Sequence, residues 1–317
     1  MQSGYDHFWG FRGGGIDYFL HSFAGRHDLW DGDTETHQIG YLTDLIAGRA
    51  IETLRSFARN DRPFLMSLHF SAPHWPWEGP ADRTISDQLS AAPDTQAMMH
   101  YDGGSMKIYA QMVTRLDYQI GRILGALRAL GLEDETMVVF TSDNGGERFS
   151  DTWPFSGRKT ELLEGGIRIP AIVRYPGRIE KGREIDVPVM TIDWLPTLLS
   201  IAQTTPSSAF PSDGLDILPI LKGDQPKSRA LFWRYKFLAQ KACRLGNHKY
   251  LKIGDNSFLF DVVEDPMERA NLKDRMPELF NGLKLAWDDW NKTMLPLVAD
   301  SFTHGPTGAE LADRFSN

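Results

Sequence analysis

The residues best suited to chemistry in this sequence follow an apolar segment near the middle of the chain. Residues 137–142, Met-Val-Val-Phe-Thr-Ser, are followed directly by the polar pair Asp143-Asn144. Carboxylate and amide oxygens are hard ligands of the kind that hold Ca²⁺ or Mg²⁺. Lys159 lies 16 residues after Asp143 and can bind an anion in the same crevice. Together these residue types predict a metal-dependent site for hydrolysing a sulfate or phosphate ester.

A second polar loop follows another apolar segment. Residues 64–70, Phe-Leu-Met-Ser-Leu-His-Phe, predict a central parallel strand, and His74 lies in the loop after it. Ligands of open α/β sheets bind beyond the C-terminal ends of the strands. We therefore expect His74 on the same rim of the sheet as Asp143 and Asn144.

Each of these residues also has an ordinary structural interpretation. Asp143-Asn144-Gly145 is a good turn sequence, because Asn and Gly tolerate positive φ. His74 could be a packed loop histidine, and Lys159 could be a solvated surface lysine. The residues taken singly leave both interpretations open.

The other histidines and a short acidic segment give weaker signals. Most of these histidines lie in the N-terminal part of the chain: His7, His21, His27, His37, His69 and His100. None has His-x-x-x-His or similar metal-ligand spacing, so we interpret most of them as structural. Asp31, Asp33 and Glu35 resemble a fragment of a calcium loop, but no residues complete an EF-hand pattern.

The elements that must position these residues change in character along the chain. Helical spacing predicts helices from Thr43 to Ala58, from Met106 to Leu130 and from Asp193 to Ala202. Strands are predicted at 136–142 and 169–174, and loops at 1–40 and 78–104. After residue 229 the pattern is one of short strands followed by a helix, predicted at 230–235, 239–245, 248–252, 257–261 and 277–293.

This order of elements predicts an α/β fold with two domains. Residues 1–228 are expected to form a mostly parallel sheet flanked by helices, and residues 229–317 a small antiparallel sheet with one helix. The boundary is placed near Asp224-Gln225-Pro226-Lys227.

Composition and charge exclude several classes of protein. The net charge is −8 with no basic stripe, so we expect no nucleic-acid partner. The single cysteine, Cys243, rules out an intramolecular disulfide framework within the chain. No apolar run is long enough to predict a membrane span, and residues 1–7 do not resemble a signal peptide. The location is unknown, and cytoplasmic if the chain is complete.

Several segments, in order, resemble the sulfatase family of the alkaline phosphatase superfamily. The segments that carry the resemblance are Gly4 to Phe11, Tyr41 to Asp44, Phe70 to Pro76, Thr136 to Gly145, Gly157 to Pro170, Thr191 to Thr197, Arg244 to Leu251 and Leu259 to Glu268. The resemblance implies that Asp143 and Asn144 are metal ligands, usually for Ca²⁺, with Mg²⁺, Mn²⁺ or Zn²⁺ as the other candidates. It also implies that His74 and Lys159 contact the sulfate and the leaving-group oxygen.

The sequence departs from the family pattern in its nucleophile. The family uses a cysteine or serine in a Cys-x-Pro/Ala-x-Arg motif, which is converted to formylglycine, and these 317 residues contain no such motif. Cys243 has different neighbours. An early Asp-Asp pair of metal ligands and a Gly-Lys-Trp-His segment are missing too. The sequence resembles a sulfatase that lacks its first part, so we expect exposed apolar surface and a homo-oligomer that covers it.

Two functions follow as hypotheses. The first is a metal-dependent hydrolase of sulfate or phosphate esters, weak and promiscuous, in which metal-activated water replaces formylglycine. The alternative is a catalytically degenerate sulfatase fragment that acts only as a binding or structural protein. A third hypothesis is that this chain is one part of a longer gene product. In the first case the partner is a small sulfate or phosphate ester.

Overall fold

A computed structural model describes residues 4–308 except 24, 61, 92–94, 206 and 307. The contacts between Cα atoms divide the chain into two compact units, Met1–Thr136 and Met137–Asn317. The predicted boundary near residue 228 stays a prediction. No helix in the described ranges is both long and apolar enough to cross a membrane.

The first unit combines short β-hairpins with helices. Its described strands and helices are β1 (Trp9–Gly10), β2 (Ser22–Phe23), β3 (Arg26–His27), β4 (Trp30–Asp31), β5 (Thr34–Glu35), α1 (Leu42–Phe57), α2 (Arg83–Ala91) and α3 (Met106–Ala129). β1, β4 and β5 form one antiparallel sheet, and β2 pairs with β3. The loops predicted at 1–40 and 78–104 therefore contain regular structure.

Helices α1 and α3 pack together as the apolar spacing predicts. α1 buries residues that are four apart, as in the pair Ala47 and Ile51 and the pair Ala50 and Leu54. A bidentate ion pair joins the helices, with Arg115 Nε and Nη2 at 2.6 and 2.5 Å from the Asp44 carboxylate. Residues 64–70, predicted as a strand, form no strand ladder with the rest of the described chain.

The second unit contains two antiparallel sheets. Its described elements are β6 (Val138–Thr141), α4 (Glu164–Ile167), β7 (Ala171–Arg174), α5 (Trp194–Ile201), α6 (Leu218–Lys222), β8 (Ala230–Tyr235), β9 (Gln240–Leu245), β10 (His248–Ile253), β11 (Asn256–Asp261) and α7 (Pro277–Lys292). The large sheet has the order β11-β10-β9-β8. This sheet with α7 is the predicted C-terminal arrangement.

Helices and sheets occur together, as the α/β class requires, but the strand pairing differs from the prediction. Every pair among the described strands is antiparallel, so the mostly parallel sheet is not seen in these residues. β6 and β7 pair antiparallel, with Thr141 at the end of β6 opposite Ala171 at the start of β7. Phe140 and Ile172 face each other across this pair and are 40% and 62% exposed. The homo-oligomer that such a surface favours stays a prediction.

The four-stranded sheet buries a different cluster on each face because strand side chains alternate. Cys243, Tyr250 and Leu259 pack with Leu283 and Trp287 of α7. On the other face, a second cluster contains residues of three strands and of the segment before α4: Leu162, Ala242, Leu251, Phe260 and Val262.

Lys249 lies on that second face and is fully buried. Its Nζ donates to Glu164 Oε1 at 2.8 Å and lies 2.7 Å from Glu268 Oε1. Burial raises the pKa of Glu268, and Lys249 opposes that rise. A buried charge needs such partners because desolvation of an unpaired ion costs several kcal/mol.

We expect Lys249→Ala to lower the free energy of unfolding by about 3–5 kcal/mol, because it leaves two carboxylates buried without their cation. Urea unfolding of the full chain, followed by tryptophan fluorescence, measures the change. Lys284→Ala, which removes an exposed lysine of α7, is the matched control and should change stability by less than about 0.5 kcal/mol. Equal effects of the two substitutions would contradict the role given to Lys249.

A second buried acidic pair, Asp17 and Glu78, lies in the first unit. Asp17 Oδ1 accepts hydrogen bonds from the backbone of Phe19 and Leu20, and Glu78 Oε2 accepts one from Tyr18. Burial, with the neighbouring Asp17 charge, raises the pKa of Glu78 to about 9. A carboxyl with this pKa is protonated at neutral pH, which fits the burial of Glu78 Oε1 and Asp17 Oδ2.

Because the folded state holds this proton and the unfolded state releases it near pH 4.5, stability should fall as the pH rises from about 5 to about 9. The slope from this one group is at most about 1.4 kcal/mol per pH unit. We expect Glu78→Gln to remove this part of the pH dependence, while Glu52→Gln, at an exposed position, retains it. Urea unfolding at pH 5, 7 and 9 measures both. Parallel stability curves for wild type and Glu78→Gln would overturn the assignment.

Candidate functional site

The Asp143-Asn144 turn begins two residues after β6 ends. The backbone N–H of Asn144 donates to Asp143 Oδ1 at 2.9 Å, and the Ser142 hydroxyl donates to the Asn144 carbonyl at 3.2 Å. These bonds satisfy the turn locally and leave Asp143 exposed to solvent. The turn interpretation and the ligand interpretation of Asp143-Asn144 are thus compatible.

Close backbone contacts fix the position of this turn. The N–H of Gly145 donates to the carbonyl of Gly166 at 2.9 Å. A Cβ at Gly145 would lie 1.9 Å from the Gly165 carbonyl oxygen, and a Cβ at Gly166 would lie 2.0 Å from that of Glu161. Only glycine allows the two segments to approach so closely.

Lys159 belongs to the same group of segments. Its backbone N–H donates to the Gly146 carbonyl at 2.8 Å, so Lys159 is tied to the residues just after Asn144. Its Nζ lies 3.1 Å from Glu147 Oε2 in a partly buried ion pair. The structure therefore brings Asp143, Asn144 and Lys159 into one region of the second unit.

The segment that carries Lys159 is anchored to the four-stranded sheet. Gln240 of β9 accepts a hydrogen bond from Leu162 N–H at 2.9 Å and donates one to the Thr160 carbonyl at 2.8 Å. Glu268 Oε2 accepts from the N–H of Glu164 at 2.6 Å. Gln240 of β9 and Glu268 in the loop after β11 thus hold the residues that follow Lys159.

His74 lies in the first unit, in the loop after residues 64–70. Its Nδ1 is 2.9 Å from the Trp75 carbonyl, and its own carbonyl accepts from the Tyr18 hydroxyl at 2.9 Å. The ring is half-buried and packs at 4.3 Å from the Trp75 ring. Its predicted contact with a substrate stays a prediction.

The chemistry of the donor set is compatible with a hard divalent ion. Asp143 Oδ2 and the side-chain amide of Asn144 form no hydrogen bond with other described residues. Both offer oxygen ligands, which suits Ca²⁺ and Mg²⁺. Two protein ligands are fewer than these ions take, so further oxygens would have to complete the coordination.

Cys243 is a poor nucleophile in this structure. It is buried in β9 against α7, and burial raises the pKa of its thiol to about 12. At neutral pH almost none of it is the reactive thiolate.

The structure reveals two groups that the sequence analysis missed. Glu147, the ion-pair partner of Lys159, directly follows Gly145-Gly146. Its closeness in sequence to Asp143 and Asn144 was the signal that could have placed it near the site. The network of Glu164, Lys249 and Glu268 was missed because its members are distant in sequence. Glu164 is 85 residues from Lys249 and 104 residues from Glu268. The signal for that network was the alternation of the strand His248–Ile253, which places Lys249 on the same face as Leu251.

Two protein-family models match this chain, and together they cover residues 1–286. A family model described as sulfatase matches residues 1–204, and one described as the C-terminal domain of N-sulphoglucosamine sulphohydrolase matches residues 158–286. Among curated proteins, the mouse steryl-sulfatase is 28% identical over 279 residues, which cover 74% of this chain and 41% of the relative. The dog N-acetylgalactosamine-6-sulfatase is 31% identical over 215 residues, which cover 66% of this chain and 38% of the relative.

The chain thus spans about two fifths of the length of each of these relatives. A crystal structure of Ps i-CgsB has a TM-score of 0.78 at 24% identity, over 90% of this chain and 66% of that one. The sulfatase family model covers 204 of the 317 residues, and the structural match shows the same fold. The chain therefore belongs to the sulfatase family, whose members hydrolyse sulfate esters, and it has that family's α/β fold.

Proposed function

We propose that this chain takes part in the hydrolysis of a sulfate ester, with the Asp143-Asn144 turn and Lys159 as its anion-binding region. The observation that carries the proposal is the connection of these three residues through Gly146 and Gly166 in one anchored group of segments.

Asp143 and Asn144 would hold a divalent ion through their side-chain oxygens. When bound, such an ion supplies positive charge to the sulfate oxygens and lowers the pKa of a nearby water. Ca²⁺ is the ion that the family resemblance favours. Asp143 is exposed and can reach an ion without moving the turn that holds it.

Lys159 would bind the sulfate and stabilise negative charge on the leaving oxygen. Its ammonium already has one acidic partner, Glu147, which holds it in place. A bound sulfate would replace or share that partner. His74 is proposed, from the resemblance alone, to contact the sulfate or the leaving oxygen as well.

Hydrolysis in this chain would use water as the nucleophile. The 317 residues lack the formylglycine motif, and the one thiol is buried with a raised pKa. The oxygen of water would bond to sulfur, the sulfur–oxygen bond to the alcohol would break, and the alcohol would take a proton. We expect such turnover to be slow and tolerant of the leaving group.

Removing the metal should abolish most of the activity. We expect chelation by EDTA and the Asp143→Ala substitution each to lower kcat/KM by about 10²-fold, the size of effect known for a lost group that stabilises charge in the transition state. The assay uses an aryl sulfate, a steroid sulfate, N-acetylgalactosamine 6-sulfate and the matching phosphate esters.

Asp274→Ala is the matched control, since Asp274 is an exposed carboxylate outside the turn. Its activity should equal that of the wild type. If EDTA and Asp143→Ala both left hydrolysis unchanged, the metal-dependent role would be wrong. Sulfate binding without turnover of any ester would favour the alternative, a degenerate sulfatase domain that only binds.

Lys159 and Glu147 should have opposite effects on anion binding. We expect Lys159→Ala to weaken the binding of inorganic sulfate at least about tenfold, because it removes a charge-assisted donor. Glu147→Gln should keep or strengthen binding, because it removes the competing carboxylate. Calorimetric titration with sulfate measures both, with the exposed Lys181→Ala as the control. Weaker binding in Glu147→Gln than in Lys159→Ala would contradict this arrangement.

A further inference from the structure

Three potential metal ligands of the first unit come together where two β-hairpins meet. One ring nitrogen each of His27 and His37 and one carboxylate oxygen of Glu35 all lie within 4.8 Å of one another. We propose that His27, Glu35 and His37 form a binding site for a transition-metal ion, and that this ion is Zn²⁺. This proposal does not depend on the hydrolytic function proposed above.

The backbone fixes the three positions. His27 ends β3, where it pairs with Ser22, and Glu35 ends β5, where it pairs with Trp30. Thr36 N–H continues the contact by donating to the Leu29 carbonyl at 2.8 Å. Residues two apart on an extended segment point to the same side, so Glu35 and His37 project together toward His27.

The hydrogen bond of His27 leaves it suited to bind metal. Its Nε2 is 2.7 Å from the Thr36 carbonyl, so Nε2 carries the proton and Nδ1 has the lone pair. A histidine ligand of zinc commonly donates its other N–H to a backbone carbonyl, which fixes the tautomer and the orientation of the ring. The same bond ties the β2–β3 hairpin to the chain after β5.

Glu35 and His37 already lie within hydrogen-bonding distance of each other. His37 Nε2 lies 3.1 Å from Glu35 Oε1, a separation that one ion with zinc bonds of about 2.0–2.1 Å to nitrogen and oxygen can bridge.

The ligands can close around an ion without disturbing the core. Donor atoms around a tetrahedral zinc ion lie about 3.3 Å apart, so the 4.8 Å spread must shrink by about 1.5 Å at most. The side chains of His37 and Glu35 are 72% and 46% exposed, which gives them room to rotate. The stacked rings of His27 and His37, with centroids 4.1 Å apart, would turn so that their nitrogens converge.

Two imidazoles and one carboxylate favour zinc over calcium. Imidazole suits Zn²⁺ and its neighbours in the periodic table, whereas Ca²⁺ takes oxygen ligands. Three protein ligands leave a fourth position for water, as in zinc sites with two histidines and one glutamate.

Zinc titration of the full chain without a polyhistidine tag tests the proposal. The measurement is made in the Asp143→Ala background, so that the candidate ion site in the second unit does not contribute. We expect one Zn²⁺ per chain, and Glu35→Gln and His37→Ala each to weaken binding at least about tenfold, since even outer partners of a metal site cost that much. The Co²⁺-loaded chain should show a visible absorption band of a four-coordinate ion, which His37→Ala abolishes.

His69→Ala is the matched control, because it removes another exposed histidine of the same unit, one that bonds to Ser67 instead. It should bind zinc as tightly as the parent chain. Circular dichroism shows whether each variant is folded. Unchanged affinity in Glu35→Gln and His37→Ala, an equal loss in His69→Ala, or no zinc binding below the millimolar range would overturn the proposal. Hydrolysis assays are not needed, so failure here leaves the sulfate-ester hypothesis untouched.

Discussion

The buried ion pair network around Lys249 is the constraint on which the second unit depends. Its ammonium lies between the carboxylates of Glu164 and Glu268, and Arg244 Nη1 lies 3.5 Å from Glu164 Oε2. Arg168 Nη1 lies 3.8 Å from the same oxygen, so three cations compensate two almost fully buried carboxylates. Glu164 begins α4, so the network fixes a helix end rather than a peripheral side chain.

Backbone contacts connect this network to the candidate site. α4 starts Glu164-Gly165-Gly166, and the Gly166 carbonyl accepts from Gly145, next to the proposed ligands. Glycine is required because a Cβ at Gly165 would lie 2.2 Å from the Gly157 carbonyl oxygen. The charged network and the close approach of backbones are therefore parts of one support. It holds an exposed carboxylate in place without placing bulky side chains around it.

The surroundings of the functional side chains differ from this support in polarity and exposure. Lys159 is paired with Glu147 in a partly buried position, where the ion pair can exchange for a ligand anion. In the cluster of His27, Glu35 and His37, the last two residues are also exposed, and an ion can replace the contact between them. Rigid, dry contacts thus hold the backbone, while the groups proposed to bind ligands keep access to solvent.

The sequence by itself determined the elements whose pattern is local. Helical spacing predicted α1 and α3 to within one or two residues, and the pattern of short strands followed by a helix predicted β8 to β11 and α7. The family followed from ordered segments around Asp143 and Lys159. Tertiary structure alone decided that Lys249 is buried, that Glu147 holds Lys159, and that β6 pairs antiparallel with β7. It also brought His27 to Glu35 and His37 across two short hairpins, although their spacing had suggested structural histidines. Such contacts depend on how distant segments pack, and the spacing of residues along the chain does not determine that packing.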